Sequence, residues 1–206
     1  DPLITRIYVT GRNVEGMTVD NAQATAPLTS DDTRRWALLA FYPGTYNLEP
    51  ELSSKYVTAE SVEVVAKGND GRPADSDVMD VEVKTEYTQD VREAALAAIK
   101  EKTHACVTPA GNLDRGCPVP LQSRNLAVLE VQNEPVSVES VDYEPNKFKS
   151  DLSFLIRPNT SGGVLRSVPS VAVASLRLDE SASLILDADG KPTFDVSIES
   201  TSVAGC

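Results

Sequence analysis

A chain of 206 residues, 41% hydrophobic and 24% charged, has a globular composition and enough length for one or two hydrophobic cores. Formal net charge is −12, with 8 Lys/Arg against 15 Asp/Glu in residues 1–86 and 11 against 16 in residues 87–206. Both parts therefore repel phosphate backbones and anionic lipid, and nucleic acid is not expected as a partner.

In chain order, LITRIYV (3–9), RRWALLAFY (34–42), SVEVVAK (61–67) and VMDVEVK (78–84) read as short strands. In the last, Val81 and Val83 alternate with Asp80, Glu82 and Lys84, the period of a half-buried antiparallel strand. Residues 11–33 and 68–77 read as loops. Pro43-Gly44 predicts the centre of a type II turn, with Gly44 at φ > 0 and a strand from Thr45 that buries Tyr46. Trp36, Phe41, Tyr42 and Tyr46 fall within eleven residues. Exposed, they would form a carbohydrate-stacking platform; a core strand is the favoured reading, since buried aromatics dominate cores.

TQDVREAALAAIKEKTHAC (88–106) is the one helical segment, rich in Ala, Leu, Glu and Lys. Asp90 and Glu93 resemble a capping box. At 100° per residue Val91, Ala95, Ala98, Ile99, Ala105 and Cys106 share a buried face, with Glu93, Lys100 and His104 opposite. Loops are expected at 107–124 and 157–169, the latter with Gly162-Gly163 at a mobile tip. The remaining strands are LAVLEVQ (126–132), PVSVESVDY (135–143), LSFLI (152–156), SVAVASLRL (170–178) and TFDVSIE (193–199). Parity slips near Ser140 and Ser175, where β-bulges are expected.

Cys106 and Cys117 stand eleven positions apart across a loop holding Pro109, Gly111 and Gly116. Zinc needs about four ligands, and the chain has one His and three Cys. A redox pair usually sits at a helix N-terminus, where the dipole favours thiolate, whereas Cys106 ends a helix. A structural disulfide is the reading that remains, and it implies an oxidising compartment and export. Cys206 is left over.

LLAFYPGTYNL (38–48), SSKYVTAESVEVVA (53–66), VREAALAAIKEKTHAC (91–106) and RGCPVP (115–120) occur in an order that resembles the extracellular region of actinobacterial membrane-anchored proteins of unknown function. The arrangement is distantly similar to the extracellular modules of the teicoplanin-resistance-associated membrane protein family. The chain departs from that pattern at Val119, where an aromatic is expected, and at Leu129, where Trp is expected. The resemblance implies an α+β chain: a small antiparallel β-sandwich over 1–86, then an NTF2/cystatin-like domain over 87–206 with one main helix on a curved antiparallel sheet. It implies no catalytic residues, and a cell-surface location with the membrane anchor outside this stretch.

Candidate chemistry is sparse. His104 is the sole histidine and is placed on solvent without a preset partner. No nucleophile-elbow, phosphate-loop or dinucleotide motif occurs, so no catalytic residue, metal or cofactor is predicted. DADGKPTFD (187–195) and NDGRPADSD (69–77) cluster acids with Gly as calcium loops do, but Asp-Gly between apolar runs is first a hairpin signal. NTS (159–161) is a glycosylation sequon by pattern alone. The resulting expectation is a non-enzymatic, extracellular cell-envelope module that binds or scaffolds a protein or cell-wall glycan. The alternative is a small apolar ligand in the concavity of the curved sheet.

Overall fold

The computed structural model describes residues 5–20, 22–23, 29–31, 34–67, 78–109, 114, 116–159, 163–180 and 182–201, the side chains of 22–38 and of 78 lying outside that set. The chain divides into two compact units, residues 1–88 with 180–183, and residues 89–179 with 184–206. The first unit runs to Thr88 rather than to residue 86, because Thr85–Tyr87 is a strand that pairs back within it.

Unit 1 contains β1 (Thr5–Gly11), β2 (Val14–Val19), β3 (Ala22–Gln23), β4 (Thr29–Asp31), β5 (Arg34–Phe41), β6 (Gly44–Leu52), β7 (Val57–Ala59), β8 (Val62–Ala66), β9 (Val78–Val83) and β10 (Thr85–Tyr87). One four-stranded sheet runs β4-β5-β1-β9, a second runs β3-β2-β6-β8, and β7 and β10 form a two-stranded ribbon. Ile7, Val9, Leu39, Phe41, Val81 and Val83 of the first sheet meet Val14, Met17, Leu48, Val64 and Ala66 of the second in one buried cluster. Alternation puts Ile7 and Val9 of β1 and Val81 and Val83 of β9 into that cluster, as a sandwich requires.

Three expectations for this unit need correction. The sandwich is not wholly antiparallel, because β1 and β9 run parallel, with Val9 beside Val81. The chain visits the second sheet between them, a connection long enough to re-enter in the parallel sense. Residues 11–33 are not a single loop, since β2 lies within them. A register shift between Val14 and Gly16 puts its buried residues, Val14 and Met17, three apart and hides the period. Finally, Gly44 does not take φ > 0; among the described glycines only Gly190 does. Gly44 opens β6 itself, and Pro43 marks the corner where the chain leaves one sheet for the other.

Unit 2 contains α1 (Gln89–Ala105), a 3-10 turn (Val119–Leu121), β11 (Leu126–Asn133), β12 (Glu139–Val141), β13 (Glu144–Pro158), β14 (Arg166–Leu176) and β15 (Phe194–Ser200). The sheet is antiparallel, ordered β11-β13-β14-β15, with β12 pairing the first part of β13 and β11 the last. At fifteen residues β13 spans about 50 Å, long enough to carry both neighbours. The unit is therefore α+β, one helix on one antiparallel sheet.

The helix packs foremost on β14 and also meets β15, β13 and β11. Its buried stripe is Val91, Ala95, Ile99, Thr103 and Cys106. Ala105, expected inside, is exposed, and Ala98 is half-buried. Thr103 takes the buried place because its Oγ1 donates to the Ile99 carbonyl at 2.7 Å, so no polar group is left bare. The helix begins at Gln89, one residue before Asp90, so Asp90 lies in the first turn, where it meets the positive end of the dipole, and does not cap it. Glu93 accepts instead from the Gln89 side-chain amide at 3.3 Å.

Under the helix, β14 buries Val168, Ser170, Ala172, Ala174 and Leu176 in unbroken alternation. The bulge expected near Ser175 is absent; the irregularity near Ser140 is present, between Ser140 and Val141. The apparent slip came from Val171 and Val173, which are larger than their inward neighbours but face away. Small inward residues let a helix lie close, and Phe148, Leu152 and Phe154 of β13 fill the adjoining core. Ala172→Leu should thus overpack the seam and destabilise by ~1–3 kcal/mol, while Val171→Leu on the opposite face should cost well under that. Paired urea melts of the two variants check the assignment of faces.

Candidate functional site

Cys106 and Cys117 are joined in a disulfide with their Cα atoms 5.7 Å apart, and both are buried. Around them, the described residues of the connecting segment are tied to the end of α1 and to β11. Lys102 Nζ reaches Asp114 Oδ2 at 3.1 Å, and Asp114 Oδ1 accepts the Gly116 N–H at 2.8 Å. A Cβ at Gly116 would meet the end of the Lys102 side chain, which would have to shift. The Gln122 side-chain amide donates to the Cys117 carbonyl at 2.7 Å, and Leu121 is buried beneath the 3-10 turn. Thr108 bridges to Val128, which ties the outgoing strand of the loop to β11. Closing a loop of this length stabilises by about 3 kcal/mol on the chain-entropy account. The disulfide suggests an oxidising, extracellular environment. No helix among the described residues is long and apolar enough to cross a membrane.

Beside this corner lies a solvent-open groove of about 370 Å³, lined by Ala98, Glu101, Lys102 and Ala105 of α1 and by Phe194, Asp195 and Val196 of β15. Ala98 and Ala105 are the residues expected in the core, and their small side chains leave room for the groove. β15 is the last strand of its sheet. The Arg177 N–H donates to Thr193 O and the Thr201 N–H to Pro169 O, so the odd-numbered residues of this strand turn their backbone groups toward β14. By the alternation of an antiparallel ladder, Phe194, Val196, Ile198 and Ser200 turn theirs to the outer edge.

Set against protein families, curated proteins and solved structures, the chain matches none. Function therefore rests on these two features and on where the remaining candidates lie.

The aromatic group does not form one exposed row. Phe41 is in the core at 8% exposure, Tyr42 is 64% exposed, and Tyr46 is half-buried with its ring centroid 4.6 Å from that of Phe41. The Trp36 side chain is outside the described set. Tyr46 lies over Gly44, where an added Cβ would sit 3.4 Å from its ring, and its hydroxyl donates to the Tyr42 carbonyl at 3.1 Å. His104 faces solvent with Nε2 3.0 Å from Glu134 Oε1, so it does have a carboxylate partner, contrary to expectation. At Asp187 the carboxylate accepts the N–H groups of Asp189 and Lys191, both at 2.9 Å, and Gly190 takes φ +75°. That is a turn with its acid committed to backbone. Among the described residues no His, Cys, Asp or Glu group is arranged for a metal. The second acidic loop (69–77), Gly162, most of the sequon and Cys206 lie outside the described residues.

The groove was missed because edge position is a topological property. Alternation in TFDVSIE indicates which side chains face inward and says nothing about which strands flank it.

Cys106→Ala/Cys117→Ala should lower the stability of unit 2 by about 3 kcal/mol, measured by denaturant titration. A pH series tests the corner more finely. The Gly116 N–H, and then Lys102, hold the Asp114 carboxyl below its ordinary range. A depressed carboxylate contributes fully above its unfolded value, and that contribution fades as pH falls through the folded one. Asp114→Asn should therefore lower stability at neutral pH and match wild type in strong acid, with a small effect because the group is exposed. Tyr46→Phe should cost no more than ~1 kcal/mol, while Gly44→Val, by displacing the ring, should cost more than Tyr46→Phe in the same melts.

Proposed function

We propose that the chain is a non-enzymatic module of the cell envelope, working outside the cytoplasm to bind or scaffold a partner. The observation that carries this reading is the buried Cys106–Cys117 disulfide, which fastens a loop beside an open groove. A staple of this kind persists in oxidising surroundings and rigidifies the groove's neighbour, so a partner meets a pre-shaped surface. The sequence resemblance to extracellular regions of anchored actinobacterial proteins points to the same location. The single histidine faces solvent beside Glu134 and is not among the residues that line the groove.

Between the two partner classes, protein is favoured over cell-wall glycan. A stacking platform needs exposed rings, and Phe41 is in the core with Tyr46 packed against it. The reading as a small-ligand binder has less support, because the helix-facing side of the sheet is filled by Phe148, Leu152, Phe154 and the alanines of β14.

Two measurements test this reading. In the cell that makes the protein, thiol labelling should find Cys106 and Cys117 unreactive and the chain in the envelope or exported fraction; a cytoplasmic chain with both thiols free sinks it. Co-sedimentation with purified cell-wall material should be weak and unchanged in Tyr42→Ala. Strong sedimentation lost in that variant would instead make the aromatic group a glycan site.

A further inference from the structure

We infer that the outer edge of β15 accepts an extended, basic segment of a partner protein as an added strand, seated in the groove against α1. The inference rests on the reading that the chain is a binding module, and it names the partner's chemistry. Three observations converge on it. Phe194 and Val196 present backbone N–H and C=O groups at the edge, where no other strand of the described residues pairs. Those groups are what an added strand needs, since main-chain bonds supply much of its affinity and alternate side chains its specificity. Phe194 and Val196 also line the groove together with Ala98 and Ala105, so every second side chain of the incoming strand meets apolar side chains there, suited to Val or Ala.

The third observation is charge. On the other face of β15, Asp195, Ser197 and Glu199 are exposed. Arg177 lies 3.8 Å from Asp195 and shares it, whereas Glu199 has no partner among the described residues, and neither does Glu101 at the groove. The groove's own cation, Lys102, is held by Asp114. Uncommitted charge around the edge is therefore negative, and a strand with Lys or Arg at alternate positions places those side chains directly opposite or diagonal to Asp195 and Glu199. A second copy of the chain is a poorer occupant. Antiparallel pairing of two β15 edges centred on Asp195 or on Ser197 would oppose Asp195 to its own counterpart or to Glu199. The 3-10 turn also packs against this strand, and Ile198 is buried, so pairing is centred on Phe194 and Val196.

The probe is a blocked peptide, Ser-Lys-Val-Lys-Val-Lys-Ser, titrated into the disulfide-bonded protein and followed by amide NMR shifts. Phe194 and Val196 should move and exchange more slowly with solvent. The same peptide with Glu for Lys should bind about tenfold more weakly or worse. Val196→Pro removes an outward N–H that the ladder with β14 does not use, so it should keep the fold and lose the peptide. Should that variant fold poorly, Asp195→Lys/Glu199→Lys carries the test: it should reverse the preference between the two peptides. The inference is overturned by equal affinity for both peptides, by no binding at millimolar concentration, by shifts confined to other elements, or by a concentration-dependent dimer whose β15 amides are already protected. Undiminished capture of an envelope protein by the double variant would also overturn it. That outcome would leave the module reading standing, whereas free cytoplasmic thiols would remove the module reading itself.

Discussion

The close approach of α1 to β14 is the constraint on which unit 2 depends. Ala95 on the helix and Ser170, Ala172 and Ala174 on the strand are all buried, and none has a side chain long enough to hold the two layers apart. A helix set down this close needs few large groups of its own, and Val91 and Ile99 are the only branched aliphatics on its buried stripe. The bulk is supplied from below by Phe148 and Phe154. Position along the seam then decides what happens at the helix end. Cys106 continues the stripe that Ala95, Ile99 and Thr103 begin, so the residue that closes the disulfide is also a packing residue. Its partner follows a return held by the Asp114 carboxylate and the bare backbone of Gly116.

Unit 1 solves a different problem with less help. Among its described residues it has no helix, and its core is the interface of two sheets whose described inward residues are almost all Val, Leu, Ile or Ala, with Phe41 and Met17 the larger exceptions. Phe41 ends its strand in the core, the chain turns at Pro43, and Tyr46 folds back over Gly44 to lie against Phe41. The corner between the sheets is thus closed by one aromatic pair. Gly44 lies beneath that ring, where a Cβ would meet it in van der Waals contact. A left-handed backbone is not required of it.

Much of this was legible in residue order, and the failures have specific causes. β9 and β15 alternate cleanly because each has one wet face, and the helix stood out by composition. The cysteine pair could be argued from ligand shortage and helix polarity alone. What misled was parity measured without neighbours. In β14 the larger Val171 and Val173 point outward while alanines point inward, since the inward face must accommodate a helix; hydrophobicity ranked them the wrong way round. In β2 a register shift set Val14 and Met17 three apart. The parallel entry of β9, the return of residues 180–183 to the first unit and the open edge of β15 are matters of topology, on which local pattern is silent.

An open edge strand is ordinarily a hazard, because its unpaired backbone groups recruit any extended chain. β15 carries the usual countermeasure in part. Asp195 and Glu199 stand on its solvent face, and the whole chain is strongly acidic, so copies of the protein repel one another at the edge. Yet the protection is selective by its nature. Carboxylates deter acidic or identical strands and attract basic ones, and they do so without occupying the N–H and C=O groups of Phe194 and Val196. Had the edge needed only protection, a proline or a buried charge among its even-numbered residues would have closed it to every comer. Those positions hold Phe, Val, Ile and Ser instead, which leave the backbone available beside the groove. Carboxylates on the solvent face disfavour pairing between copies of the chain while, among the described residues, the edge beside the disulfide-fastened helix end is unpaired, and that combination is what the proposed recognition of a basic strand requires.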